Sequence, residues 1–553
     1  MNKTDLQITQ LFSVRNRYGK QLAPEKLQLL NTINIKTVKT KTVLQSFYTA
    51  LLYLMAYPDN KTIYKTAGEL LKQLQQHIQA NEKLKYSLYN TGITGTSLCA
   101  IFSFEMVKWL RKTRPAEIKL NSFETEDAKI QSILSVVMSK AESEILQDAN
   151  AEWKGWLNQL KKTDEDLLDQ FVAIFNSSDI RPEVKEELWN SIGINVEINF
   201  ASHCCLPQLL TKPYYHRSLV KQEIKKQKSF QKPIRVKLSE NEAEHIIDCG
   251  RMILLRKLRE LDPISFTSAK HVTYYQLQRG ISIALTGMVP EHRHPIDSYM
   301  GYLVFKNGLP VAYAGSWILF DSGRIGLNVF ADYRGGEAKY IFNQVLQLHA
   351  QVYNLKRFSV DPYQIGKDNS DGIHSGSFWI YYHAGFRPIE KLQQQIAATE
   401  AAKIQANKKY RTAPAVLKTL AESRLELILQ KNAVRFDATD MSRAYAGIIT
   451  KKYNGNRQLA QKNAVKKLAA ILQIKNYQDD NINFVLKNWA VFLLCKEKEL
   501  AKNTHLKRTL KNLFSLKATG SEETYITALQ KAGDLRKLIE NLLKDYAIAI
   551  VEL

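Results

Sequence analysis

The chain has 553 residues, 45% of them apolar, with 78 Lys and Arg against 54 Asp and Glu and a formal net charge of +24. That length exceeds one ordinary core, and that apolar content excludes an intrinsically disordered chain. The charge favours polyanionic partners such as nucleic acid, an anionic membrane face or a phosphate-bearing small molecule, although a lysine-rich soluble surface gives the same sum.

Cys99, Cys204, Cys205, Cys249 and Cys495 are scattered without framework spacing, which points to free thiols in a reducing compartment. The chain starts Met1-Asn2-Lys3-Thr4-Asp5, without the apolar core of a secretory signal. Its most apolar early run, residues 47–57, is shorter than the roughly 20 residues that cross a bilayer. These features predict a cytoplasmic protein with no membrane span.

Residues 1–211 read as helical. Ala67, Leu70, Leu71, Leu74 and Ile78 share one helix face, and Ile145, Ala149, Trp153, Leu157 and Leu160 repeat the arrangement. The glycines Gly92 and Gly95 mark a loop that lacks the lysine and spacing of a nucleotide-binding loop and reads as a helix connection. His203-Cys204-Cys205 is a poor metal motif, because adjacent cysteines rarely point at one ion and no second pair stands at zinc spacing. No metal is expected.

Residues 212–237, bracketed by Pro213 and Pro233 and rich in lysine, read as a basic linker. A helix then opens at Ser239, with Glu242 completing a capping box, and its core face runs through Ile246, Gly250, Ile253, Leu254, Leu258 and Leu261. A strand alternating Ile281, Ile283 and Leu285 leads to the polar turn Glu291-His292-Arg293-His294, where Glu291 is a candidate base.

Residues 299–390 carry the pattern with most chemistry in it. A strand meets the hairpin signal Asn307-Gly308, a second strand returns, and Asp321-Ser322-Gly323 turns into a third. After Phe330 the chain reads Ala331-Asp332-Tyr333-Arg334-Gly335-Gly336-Glu337-Ala338 and enters a helix marked by Ile341, Val345, Leu348 and Val352. A glycine turn at a helix N-terminus offers unpaired amides and a positive dipole end, which suit a pyrophosphate. A strand at Phe358 and Val360, a helix holding Tyr381 and Tyr382, and Gly385-Phe386-Arg387-Pro388 complete the stretch.

This order of strand, Arg-Gly-Gly turn, helix, strand, helix with tyrosine and Gly-Phe-Arg-Pro resembles the GNAT acyltransferase superfamily over about residues 239–390. More narrowly, Asn328-Val329-Phe330, residues 333–337 and Ser375-Gly376-Ser377-Phe378-Trp379 are similar to a group of bacterial GNAT-like proteins of unassigned function. The resemblance implies an acyl-CoA cosubstrate, with Val329 and Ala331 on the strand that binds the pantetheine arm and Arg334, Gly335 and Gly336 at the diphosphate. It implies Tyr381 as the general acid that protonates the departing thiolate. Glu337 and Lys339 stand where the family pattern has small residues, a register shifted by one recovers Ala338, and His374 replaces a frequent asparagine. By packing alone, Tyr381 is equally an aromatic lodged beside Phe378 and Tyr382.

From residue 396 onward the chain reads as helical, with Val465, Leu468 and Leu472 on one stripe and Phe484, Val485, Trp489, Phe492 and Leu493 on a stronger one. Lys502, Lys507, Arg508 and Lys511 line opposite faces, as on solvated helices and weak nucleic-acid surfaces alike.

The expected fold is multidomain α+β: a mixed, mostly antiparallel GNAT-like sheet covered by helices over residues 238–395, flanked by all-α regions at 1–211 and 396–553. Three functions fit this reading. The first is acyl transfer from acyl-CoA to an amine on a small molecule, peptide or protein. The second is transfer from charged transfer RNA, as the resembling Fem-type enzymes perform. The third is a binding scaffold with a degenerate core, whose helical flanks contact protein partners.

Overall fold

The computed structural model describes residues 3–38, 40–147, 152–160, 166–200, 212–220, 232–407 and 409–546; His203, Cys204, Cys205 and Ala149 lie outside them. It is a multidomain α+β structure. The helices Lys3–Val14, Leu22–Thr32, Lys41–Ala56 and Lys61–Gln79 pack together at the N-terminal end. The stripe Ala67, Leu70, Leu71, Leu74 and Ile78 is buried as its spacing predicts, and the Asn60 side chain caps that helix by accepting from Ile63 N at 2.9 Å. Helix Lys41–Ala56 is apolar nearly all round because it is sandwiched: Phe47, Leu51, Tyr53 and Leu54 join a core that continues into the central sheet.

The N-terminal region is not all-α. Strands β1 (Ser97–Ile101), β2 (Ile118–Phe123) and β3 (Ile194–Asn199) form an antiparallel sheet in the order β1-β3-β2. Ile194, Val196 and Ile198 alternate into the core, but strands this short beside helices such as Phe104–Thr113 and Pro182–Ile192 leave little periodic signal. The second expected stripe also breaks up, with Trp153 and Leu157 buried while Ile145 and Leu160 are exposed. In the glycine loop, the Gly92 carbonyl accepts from Arg256 Nε at 2.7 Å.

The central sheet contains β4 (Ile234–Val236), β5 (Val272–Gln276), β6 (Ile281–Thr286), β7 (Ser298–Lys306), β8 (Leu309–Leu319), β9 (Ser322–Ile325), β10 (Asn328–Val329), β11 (Arg357–Val360), β12 (Arg387–Pro388) and β13 (Leu425–Ile428). Its order is β12-β13-β11-β9-β8-β7-β6-β5-β4, with β10 also on β8. Adjacent pairs are antiparallel except β9 and β11, which are parallel and joined through helix Ala338–Val352. Asn307 and Gly308 both have positive φ, +48° and +80°, as a two-residue hairpin turn requires.

Three boundaries differ from expectation. The sheet does not end at residue 395, because β13 inserts between β11 and β12; four residues are too few to stand out in a helical context. The described parts of 212–237 are not a solvated linker: Tyr214 N donates to the Asn307 side chain at 2.6 Å, His216 N to Pro58 O at 2.7 Å, and residues 234–236 form β4. The helix capped by Ser239 and Glu242 stops at Arg256, so Leu258, at φ +52°, is exposed rather than on its core face.

Helices of residues 438–546 pack around Trp489, Phe492, Leu510, Phe514 and Tyr525. A buried polar cluster fastens them to the sheet. Lys517 Nζ lies 2.8–2.9 Å from both Glu522 oxygens and donates to Asp297 O at 2.8 Å, while Ser298 Oγ donates to Glu522 at 2.5 Å. Arg293 donates to Lys517 O at 3.0 Å, Tyr525 Oη to Ile296 O at 2.7 Å and Trp489 Nε1 to Pro295 O at 3.0 Å. Removing one partner strands a buried charge, so Glu522→Ala is expected to destabilise the protein by about 3–5 kcal/mol in urea unfolding. The apolar pair Lys517→Met with Glu522→Leu is expected to recover most of that loss, and equal losses in both variants would contradict the cluster's electrostatic role.

Candidate functional site

The sheet opens beside Gly326 and Leu327. β9 and β10 share a single register against β8, with Ser316 opposite Ile325 and Tyr313 opposite Asn328, yet the ladder is interrupted at Gly326 and Leu327. On the other side β11 pairs with β9 from Ser322 to Arg324, and Asp361-Pro362 then turns it into a short helix. Proline supplies no ladder donor. A wedge is left between the β9–β10 strand and the end of β11.

Tyr381 closes this wedge. Its hydroxyl accepts from Leu327 N at 3.2 Å, and the Tyr302 hydroxyl donates to Gly326 O, so side chains take up the backbone groups that the ladder leaves. The Tyr381 ring meets Phe342 edge-on at 5.0 Å and is 1% exposed. Burial pushes its hydroxyl well above the ordinary tyrosine value, against a smaller opposing effect of the Leu327 amide. The phenol therefore holds its proton at neutral pH.

Beyond the wedge, Val329 pairs with Ala312, Ala331 is exposed, and helix Ala338–Val352 begins with no side-chain cap. Its first amides have no partner within the helix, and its dipole presents positive charge there. Gly335 has φ +88° and is exposed; Arg334 is also exposed and pairs with Asp371 at 3.1 Å, a contact that solvent keeps weak. The N-terminal helices back this turn. A Cβ on Gly336 would lie 2.7 Å from the Tyr57 ring and one on Gly335 2.8 Å from Asn16, while Tyr53 Oη donates to Gly335 O at 3.4 Å. Thr49 and Lys257 hold the neighbouring Asp332 at 3.0 and 2.5 Å.

Glu337 does not point its charge at the turn's ligand side. It is buried, with Lys306 Nζ at 2.9 Å, Arg279 Nη2 at 2.5 Å and Val220 N donating at 2.9 Å. Burial alone would raise its pKa, but Lys306 and Arg279 outweigh it and hold the carboxyl below its usual range. His216 stands 3.8 Å away and is neutral, because burial and the nearby Lys306 push it down to about 3. The negative charge of Glu337 is thus balanced by its own cations. His374 is exposed and bonds back to Ser370 O at 2.7 Å.

Glu291 is not brought to Tyr381. The strand row Thr286–Gly301–Gly315 puts the end of β6 three strand spacings, about 14 Å, from the interruption in β9–β10. Glu291 instead lines a separate cleft of about 340 Å³ with Glu105, Lys185, Glu186 and Arg251, beside His292 stacked on Phe266 at 4.1 Å. Glu186 there accepts from Phe104 N and Glu105 N, yet burial pushes it up to about 7. Sequence reasoning had no local signal for Glu186, whose partners lie 81 and 82 residues away. Among the described residues no group of His, Cys, Asp and Glu is placed to hold a metal, and no helix is long and apolar enough to cross a membrane.

Because the Glu337 pKa is depressed in the fold, the stability it confers is fully present above its ordinary 4.5 and is lost as pH falls through the lower folded value. Glu337→Gln is expected to cost about 3–5 kcal/mol at pH 7, with the gap to the parent protein narrowing below pH 4.5 in urea titrations. A gap independent of pH would contradict an ionised Glu337.

Comparison with protein-family models, with curated proteins and with solved structures finds no match to the chain.

Proposed function

We propose that the protein is a GNAT-like N-acyltransferase that moves an acyl group from acyl-CoA to an amine. The observation that carries this reading is the wedge between β9–β10 and β11, closed by a protonated Tyr381 on the Leu327 amide. The sheet order, with its single parallel pair β9 and β11 crossed by helix Ala338–Val352, supports it, as does the uncapped helix beside Arg334, Gly335 and Gly336.

In this reaction the donor's diphosphate lies on the exposed side of the turn, against Arg334 and the positive end of the helix dipole, with Ala338 at the first helical position. The pantetheine arm runs along Val329 and Ala331 into the wedge. The acceptor amine attacks the thioester carbonyl, a C–N bond forms and the C–S bond breaks. The departing thiolate takes the Tyr381 proton, and the amine's surplus proton leaves to water or to a base. Glu291 lines the cleft at Glu186 and is not assigned as that base.

Acetyl-CoA at millimolar concentration is expected to raise the melting temperature, since a ligand bound only to the native state stabilises it. Thiol release with an amine panel is expected to fall about 10²–10⁴-fold in Tyr381→Phe, with donor affinity little changed. Arg334→Ala is expected to weaken donor binding by about fivefold, the value of one exposed charge-assisted contact. Absence of both a thermal shift and thiol release would overturn the proposal. Release only with aminoacylated transfer RNA as donor would replace it with the transfer-RNA-dependent reaction of the same fold.

A further inference from the structure

The positive charge is concentrated. Residues 438–546 carry 20 Lys and Arg against 10 Asp and Glu. Between the helices Thr504–Thr519 and Glu522–Lys531 lies an open groove of about 940 Å³, lined by Arg235, Arg508 and Lys531 together with Thr509, Asn512 and Thr524. Across the edge strand β4 a second cleft of about 510 Å³ shares Arg235 and adds Lys237 and Lys270. The two meet at Arg235, and together they are termed the track.

The lining carboxylates are Glu523 and the exposed Glu240, fewer than the cations Arg235, Lys237, Lys270, Arg508 and Lys531. Glu523 is paired with Arg235 at 3.2 Å, and His505 in the groove faces Asp534 at 3.4 Å. Arg508 and Lys531 are exposed and make no ion pair among the described residues. The contrast with the cleft at Glu186 is direct, since there Glu105, Glu186 and Glu291 balance Lys108, Lys185 and Arg251. A concave surface with unpaired cations flanked by hydroxyl and amide groups matches the contacts that proteins make to phosphate and sugar. With no Phe, Tyr or Trp among the lining residues, it lacks the large rings on which bases usually stack.

We propose that this track binds the sugar–phosphate backbone of a nucleic acid strand, without regard to sequence. The full-length protein is titrated into a fluorescein-labelled 20-nucleotide oligouridylate RNA over a salt series, with fluorescence polarisation as the readout. The parent protein is expected to bind with a steep inverse dependence on salt. Arg508→Glu combined with Lys531→Glu is expected to weaken binding by about tenfold and to flatten the log–log salt slope by about 1.4, two lost phosphate contacts on a single strand. Lys462→Glu combined with Lys466→Glu makes the same charge change on an exposed face of helix Arg457–Leu472, outside both clefts, and is expected to leave affinity within about threefold.

Both pairs of substitutions are on exposed positions, and unchanged melting temperatures confirm that they fold. Equal loss in the two double variants would assign binding to net charge and overturn the track. No salt-dependent binding by the parent protein would overturn it as well.

Discussion

Two carboxylates buried at opposite margins of one sheet hold the flanking regions in place. Glu337 is clamped by Lys306 and Arg279 and reaches Val220 N; Glu522 is clamped by Lys517 and Ser298. Burying such charges is expensive and repaid only when geometry and hydrogen bonding are complete. Each cluster therefore tolerates one docking arrangement. The first joins the N-terminal segment around His216 to the hairpin end of β7, and the second joins the C-terminal helices to the loop before β7. Apolar packing supplies the bulk of the contact on both sides, and the carboxylates fix which contact forms.

The first clamp also shapes the candidate site. With Glu337 drawn inward, the turn at Arg334 keeps its glycines and its helix amides on the open side, while Tyr53 and Tyr57 press on it from behind. The glycine at 336 is required by that tyrosine, because any Cβ there meets the ring. A turn supported in this way is rigid before any ligand arrives, which lowers the ordering cost of binding. Tyr381 is similarly fixed by Phe342 and by the Leu327 amide.

Local chemistry was legible in the sequence. The Asn307-Gly308 hairpin, the Ser239 and Glu242 capping box and the helix after Gly336 all form where turn and cap rules place them. Long-range chemistry was not. Glu337 stands in the sequence only as a departure from a small-residue pattern, because its partners Lys306 and Arg279 lie 31 and 58 residues away and no spacing rule connects them. The strands β1, β2, β3 and β13, at four to six residues each, are too short for periodicity to separate from surrounding helix, and the sheet alone defines them. Glu291 follows β6, whose end lies three strand spacings from the interruption in β9–β10, since β7 and β8 run between.

The wedge, the glycine turn and the tyrosines behind it act as one donor site only if they respond to donor together. Amide hydrogen exchange on the full-length protein with and without acetyl-CoA tests this most directly. Slowed exchange at Leu327, at residues 334–340 and in helix Lys41–Ala56, together and at the same donor concentration, is the result expected. Exchange that is unchanged at all three places, or that slows only elsewhere in the chain, would contradict it.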